Sequence, residues 1–119
     1  MEKEAAKKEA ARKKRLRRAR EKVDAVAELA VDSFNVDEVW IFGSLATKKM
    51  RKNSDIDIMV SGLPMEKYWS FFKKAEELAY PFKIDIVLRE KASSALKKRV
   101  KREGVKLTGE EKNNQLFSG

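Results

Sequence analysis

The sequence predicts a single α/β domain, and three observations carry that prediction. A chain of 119 residues is long enough for one compact unit and too short for two ordinary ones. Three short apolar runs, "EVWIF", "DIDIMV" and "FKIDIVL", are bounded by turn residues in the manner of strands. The longer stretches between and after them repeat their apolar residues at helical spacing. With 39% charged and 42% hydrophobic residues, the composition supports a modest core under a densely ionised surface rather than a disordered chain.

Cysteine and histidine are both absent. That excludes disulfides, thiolate or imidazole metal sites, and Ser-His or Cys-His catalysis. Carboxylates are then the only strong metal ligands left. The charged, alanine-rich beginning has no apolar h-region, and no apolar run approaches the roughly 20 residues that span a bilayer. A cytoplasmic protein with no membrane contact is therefore expected.

The net charge of +9 is unevenly placed, because residues 1–22 hold eleven Lys/Arg and four Glu. This segment is made almost wholly of strong helix formers, with Glu and Lys often three or four apart, so a basic helical extension is expected there. It suits a solvated helix end, or contact with RNA phosphates or an acidic partner, and no aromatic residue is interleaved for stacking on bases. An apolar stripe becomes continuous from Leu16 through Ala19, Val23, Val26, Ala27, Ala30 and Phe34, which places the start of the core near Leu16. The division expected is extension 1–22, globular domain 23–108 and flexible tail 109–119.

Within the domain, Glu38 to Phe42 reads as a buried strand that stops at Gly43, followed by a short helical turn and loop. Asp55 to Val60 forms the second strand, with "SGLP" as its exit turn. Met65 to Ala79 reads as a helix whose Tyr68, Trp69, Phe72, Ala75, Leu78 and Ala79 are expected in the core. Phe82 to Leu88 forms the third strand. A basic amphipathic helix then ends at Gly104, with a short strand or extended tail beyond it.

Asp55 and Asp57 interrupt the second strand and, by alternation, point to one face while Ile56, Ile58 and Val60 point to the other. Two carboxylates held together at the end of a buried strand repel each other unless a cation neutralises them. Asp85 repeats the arrangement on the third strand and would sit beside the pair if the two strands are adjacent. Three carboxylates without histidine suit a hard, oxygen-seeking ion such as Mg²⁺, and two such ions can hold both oxygens of an in-line displacement. Gly43 and Ser44, at a strand-to-helix junction, supply backbone N–H groups and a hydroxyl where an anion can approach.

These residues together, "GSLATKKMRKNSDIDIMV", resemble the GSxAxG…SDIDxxV signature of the minimal nucleotidyltransferases (MNT) of the DNA polymerase beta superfamily. "KIDIVL" is similar to that family's third-carboxylate strand and "KREGVKL" to its C-terminal ending, so the resemblance covers roughly residues 24 to 108. It implies a nucleotidyltransferase fold, α/β (α+β), with a small mixed β-sheet and helices packed on one side. The implied activity is transfer of a nucleoside monophosphate, AMP from ATP in the leading expectation, from an NTP to a hydroxyl. Carried over by position, Gly43 and Ser44 hold the β,γ-phosphates, Asp55 and Asp57 bind two Mg²⁺ ions, and Asp85 completes the site and takes the acceptor's proton. Lys48 stands where the family has its second glycine, and is a candidate for touching the triphosphate. Members of the family are frequently encoded beside a HEPN-domain protein as the antitoxin of a toxin–antitoxin pair. The resemblance therefore implies a HEPN ribonuclease partner that is modified, or that is neutralised by contact alone.

Overall fold

The computed structural model describes residues 2–108, and the expected tail 109–119 lies outside them. Helix α1, Glu2–Phe34, runs without a break through residue 22. Its stripe Ala19, Val23, Val26, Ala27, Ala30 and Phe34 is buried, and Leu16 packs against the margin of the core. The helix stops at Asn35, which adopts a left-handed φ of 53° that a short polar side chain tolerates. The Val36 N–H then returns to the Ala30 carbonyl at 3.2 Å.

Four strands follow: β1 (Glu38–Phe42), β2 (Ile56–Ser61), β3 (Ile84–Leu88) and β4 (Val105–Lys106). They form one sheet in the order β3-β2-β1-β4. β2 pairs antiparallel with β1 and parallel with β3, and β4 pairs antiparallel with β1, so the sheet is mixed. The second strand begins one residue later than the sequence suggests, at Ile56, whose N–H donates to the Lys83 carbonyl at 2.8 Å. Asp55 thus stands at the mouth of β2 rather than inside it.

Alternation along the strands sorts the side chains onto two faces. Val39, Ile41, Ile56, Ile58, Val60, Ile84, Ile86 and Leu88 join α1 and α3 (Tyr68–Ala79) in the main core. The other face carries Trp40, Asp57, Met59, Asp85 and Val87, and α4 (Ser94–Glu103) lies over part of it through Val100 and Leu96. The two longest helices share one side of the sheet, and among the described residues α4 is the helix that crosses the face with the acids. Ser93 caps α4 by accepting the Leu96 N–H at 3.1 Å. At Gly104 a Cβ would press to 2.8 Å from the Ile41 carbonyl, so only glycine lets the chain pass close enough to add β4.

Helix α3 corrects one expectation. Trp69 is 74% exposed and Leu78 is 38% exposed, whereas Phe71, Ala75 and Ala79 are fully buried with Tyr68 and Phe72 beside them. Aromatic residues occupy 68, 69, 71 and 72, so their spacing alone does not fix which face turns inward. Phe34 at the end of α1 decides it, meeting Phe71 edge-on with ring centroids 5.2 Å apart. Phe71→Ala should accordingly cost about 3–5 kcal/mol by urea unfolding, and Trp69→Ala no more than about 0.5 kcal/mol. The reverse ranking would contradict this orientation of α3.

Candidate active site

The site begins with a turn. β1 ends at Phe42 and α2 (Gly43–Ala46) starts at once, with Gly43 at φ +69°. A Cβ at that position would collide with the Asp57 carboxylate. Glycine is thus required twice, for its left-handed backbone and for the space that the acid occupies. The Gly43 carbonyl accepts both the Thr47 N–H and the Thr47 hydroxyl at 3.1 Å, and the Ser44 carbonyl accepts the Lys49 N–H at 2.9 Å. Leu45 and Met50, both buried, anchor the turn and the following loop to the core. Lys48 is also left-handed, at φ 62°. A side chain in that region costs about 1–2 kcal/mol.

The β2–β3 pairing brings two acids together. Phe42, Asp57 and Asp85 lie in one register row across β1, β2 and β3. Asp57 is half-buried while Asp55 and Asp85 are exposed. Burial, then the charge of Asp85, then that of Asp55, pushes the Asp57 carboxyl up from 3.8 to about 6, against the pull of Arg99. The charges of both Asp85 and Asp55 therefore reach Asp57. Among the described residues, however, no group of three His, Cys, Asp or Glu stands close enough to form a ready-made metal cluster. What the donor set offers is oxygen only, with mutual repulsion at Asp57 that a hard cation would relieve.

Two further residues lie within electrostatic reach of the acids: Arg99, which the sequence does not single out, and Tyr68, which it suggests only as a core residue. Arg99 comes from α4, and only the crossing of that helix over the acid-bearing face brings its charge near Asp57. Tyr68 of α3 donates its hydroxyl to the Ile86 carbonyl at 3.2 Å. Burial, and after it the charge of Asp85, raises the pKa of that phenol above its usual value. Farther along the same face, a cleft of about 470 Å³ lies between Trp40 and Met59 of the sheet and Lys97, Lys98 and Lys101 of α4. An apolar floor with a cationic rim can take an organic anion next to the acids.

A family model described as Polymerase beta, Nucleotidyltransferase matches residues 24–113. No curated protein matches. Among solved structures, a toxin-antitoxin crystal structure with AMP-PNP is 25% identical at a TM-score of 0.62, covering 79% of each chain. A structure described as that of a candidate minimal nucleotidyltransferase is 27% identical at a TM-score of 0.65, covering 76% of this chain and 93% of that one. A tri-AMPylated Shewanella oneidensis HEPN toxin in complex with MNT antitoxin is 23% identical at a TM-score of 0.56, over 86% of this chain and 79% of that one. That last likeness is one of fold alone.

The crowding of Asp57 has a consequence for stability. Its folded pKa of about 6 lies above the unfolded value of 3.8, so the folded metal-free protein takes up the proton first. Stability rises as pH falls from 7 toward 4 and is lost again as pH rises through 6. A shift of this size corresponds to about 3 kcal/mol, which solvent at a half-buried group screens to about 1–2 kcal/mol. Asp57→Asn should therefore be about 1–2 kcal/mol more stable than wild type at pH 7.5 without metal, and equal to it near pH 4. Denaturant unfolding at the two pH values measures this.

Proposed function

Because this chain belongs to the polymerase beta nucleotidyltransferase family, we propose that it transfers AMP from ATP to a hydroxyl of a partner protein, acting as the antitoxin of a HEPN ribonuclease toxin. One observation carries the reading: the Gly43-Ser44 turn is pressed against Asp57, which stands in register with Asp85. The likeness to a toxin-antitoxin structure with AMP-PNP supports it.

In this reading Gly43 and Ser44 hold the β,γ-phosphates, and Asp55, Asp57 and Asp85 hold Mg²⁺. When bound, the metal supplies charge neutralisation for the phosphates and for the crowded acids. The acceptor oxygen attacks the α-phosphorus, the bond to pyrophosphate breaks, and Asp85 takes the hydroxyl proton. Asp85 suits that task because it is the exposed member of the register row, on an edge strand that a partner can reach. Arg99, which also pairs with Glu103 at 3.4 Å, lowers the negative charge felt at Asp57 and can steady the leaving phosphates. The cleft beside Trp40 and Lys97 can take the nucleoside or the acceptor segment.

The test incubates the chain with the toxin subunit of the proposed pair, Mg²⁺ and each NTP in turn, and weighs the intact toxin. Wild type should add one or more AMP units. Asp85→Asn should add none while keeping most of its nucleotide affinity, since its role is concentrated in the transition state. No added mass with wild type would refute the transfer.

A second reading, neutralisation by contact alone, is favoured by Lys48, whose strained backbone burdens the turn. Lys48→Gly separates the two. Removing the strained side chain should stabilise the fold by up to about 1 kcal/mol. If the chain is an enzyme, the variant should also transfer AMP at least as fast as wild type. If contact alone suffices, the variant should suppress the toxin as well as wild type does, with no AMP found on the toxin in either case.

A further inference from the structure

A second charged feature lies apart from the acids. The exposed first half of α1 and the loop that links the Gly43-Ser44 turn to Asp55 face each other across a groove of about 440 Å³. Lys8, Arg12 and Arg15 come from the helix, and Lys49, Arg51 and Lys52 from the loop. No acid lines it. Arg15 ties the two walls together by donating to the Met50 carbonyl at 3.5 Å, while Met50 itself is buried in the core beneath. The basic segment that stands out in the sequence is thus only half of a site. Its other half lies far along the chain, at residues 49–52.

We propose that this groove grips the phosphate backbone of single-stranded RNA without regard to base sequence. Three arginines and three lysines from two elements suit phosphate oxygens, the arginines by paired N–H donors and the lysines as point charges. A protein partner would need an apolar or aromatic anchor at the centre of its interface. Apart from the buried Met50, the lining offers only Ala11. Along the helix the groove runs from Lys8 to Arg15, about 10 Å at 1.5 Å per residue. A flexible strand can bend into so short a channel, whereas a stiff duplex would touch only its rim. Single strands in a cell are mostly RNA. Because no aromatic residue is present to stack on bases, binding rests on charge alone and is steeply salt-dependent.

The test uses the full chain and fluorescently labelled 20-nucleotide oligo(U) and oligo(A), with anisotropy read across a salt series from 50 to 200 mM KCl; these conditions are chosen for the assay and are on the order of the range over which phosphate contacts weaken most. Both oligonucleotides should bind alike within about twofold, each phosphate contact contributing about −0.7 to the slope of log K against log salt. Replacing Lys8, Lys49 and Lys52 together by Gln should weaken binding at least about tenfold at low salt and flatten the slope by about 2 units. These side chains are exposed, so the thermal midpoint should not move. Replacing Lys67, Lys73 and Lys83 by Gln, exposed lysines that line neither this groove nor the cleft beside Trp40, should change the affinity little. The proposal is overturned if that control loses as much affinity as the groove variant, if an RNA duplex binds more tightly than oligo(U), or if a poly-Glu peptide of equal charge competes as well as oligo(U). None of these readouts depends on AMP transfer.

Discussion

The close approach of Gly43 to the Asp57 carboxylate is the constraint around which the rest of the site is arranged. It requires β1 and β2 to be antiparallel neighbours with Phe42 opposite Asp57, so the turn after one strand meets the acid on the next. It also requires a backbone that only glycine adopts without strain. The main core sustains it, since Leu45 and Met50 hold both ends of the turn while Ile56 and Ile58 fix the face that Asp57 must take.

The same arrangement stores electrostatic cost where the chemistry would occur. Asp57 is held among like charges and partly out of water, and Arg99 compensates only in part. Such a group favours whatever brings positive charge or a proton to it. The sheet supports this because its two faces do different work: one is sealed by α1 and α3, and over the other, among the described residues, α4 covers only part. An acid that faced the sealed side would have no route to a ligand.

Basic charge is distributed with comparable economy of position. Cations line both the cleft over the acid-bearing face, from α4, and the groove between α1 and the 49–52 loop. The long helix serves both ends of its length differently, giving the core its buried stripe from Ala19 onward and the groove its exposed lysines and arginines before that.

The strands, their order of appearance, the buried stripe of α1 and the acids at 55, 57 and 85 were all present in local pattern, because period-2 and period-3.6 spacing are written into neighbouring residues. The Gly-Ser turn and its distance to Asp-x-Asp were likewise recoverable from one segment. Tertiary structure alone decided what depends on contacts between distant segments. Phe34 chose which aromatics of α3 turn inward, leaving Trp69 outside. The crossing of α4 put Arg99 near Asp57. The fold of the loop gave the basic helix its opposite wall, and the left-handed angle at Lys48 followed from the turn that encloses it. Spacing within a segment fixes which residues share a face; which face meets which neighbour is set by packing, and packing is a property of the whole chain.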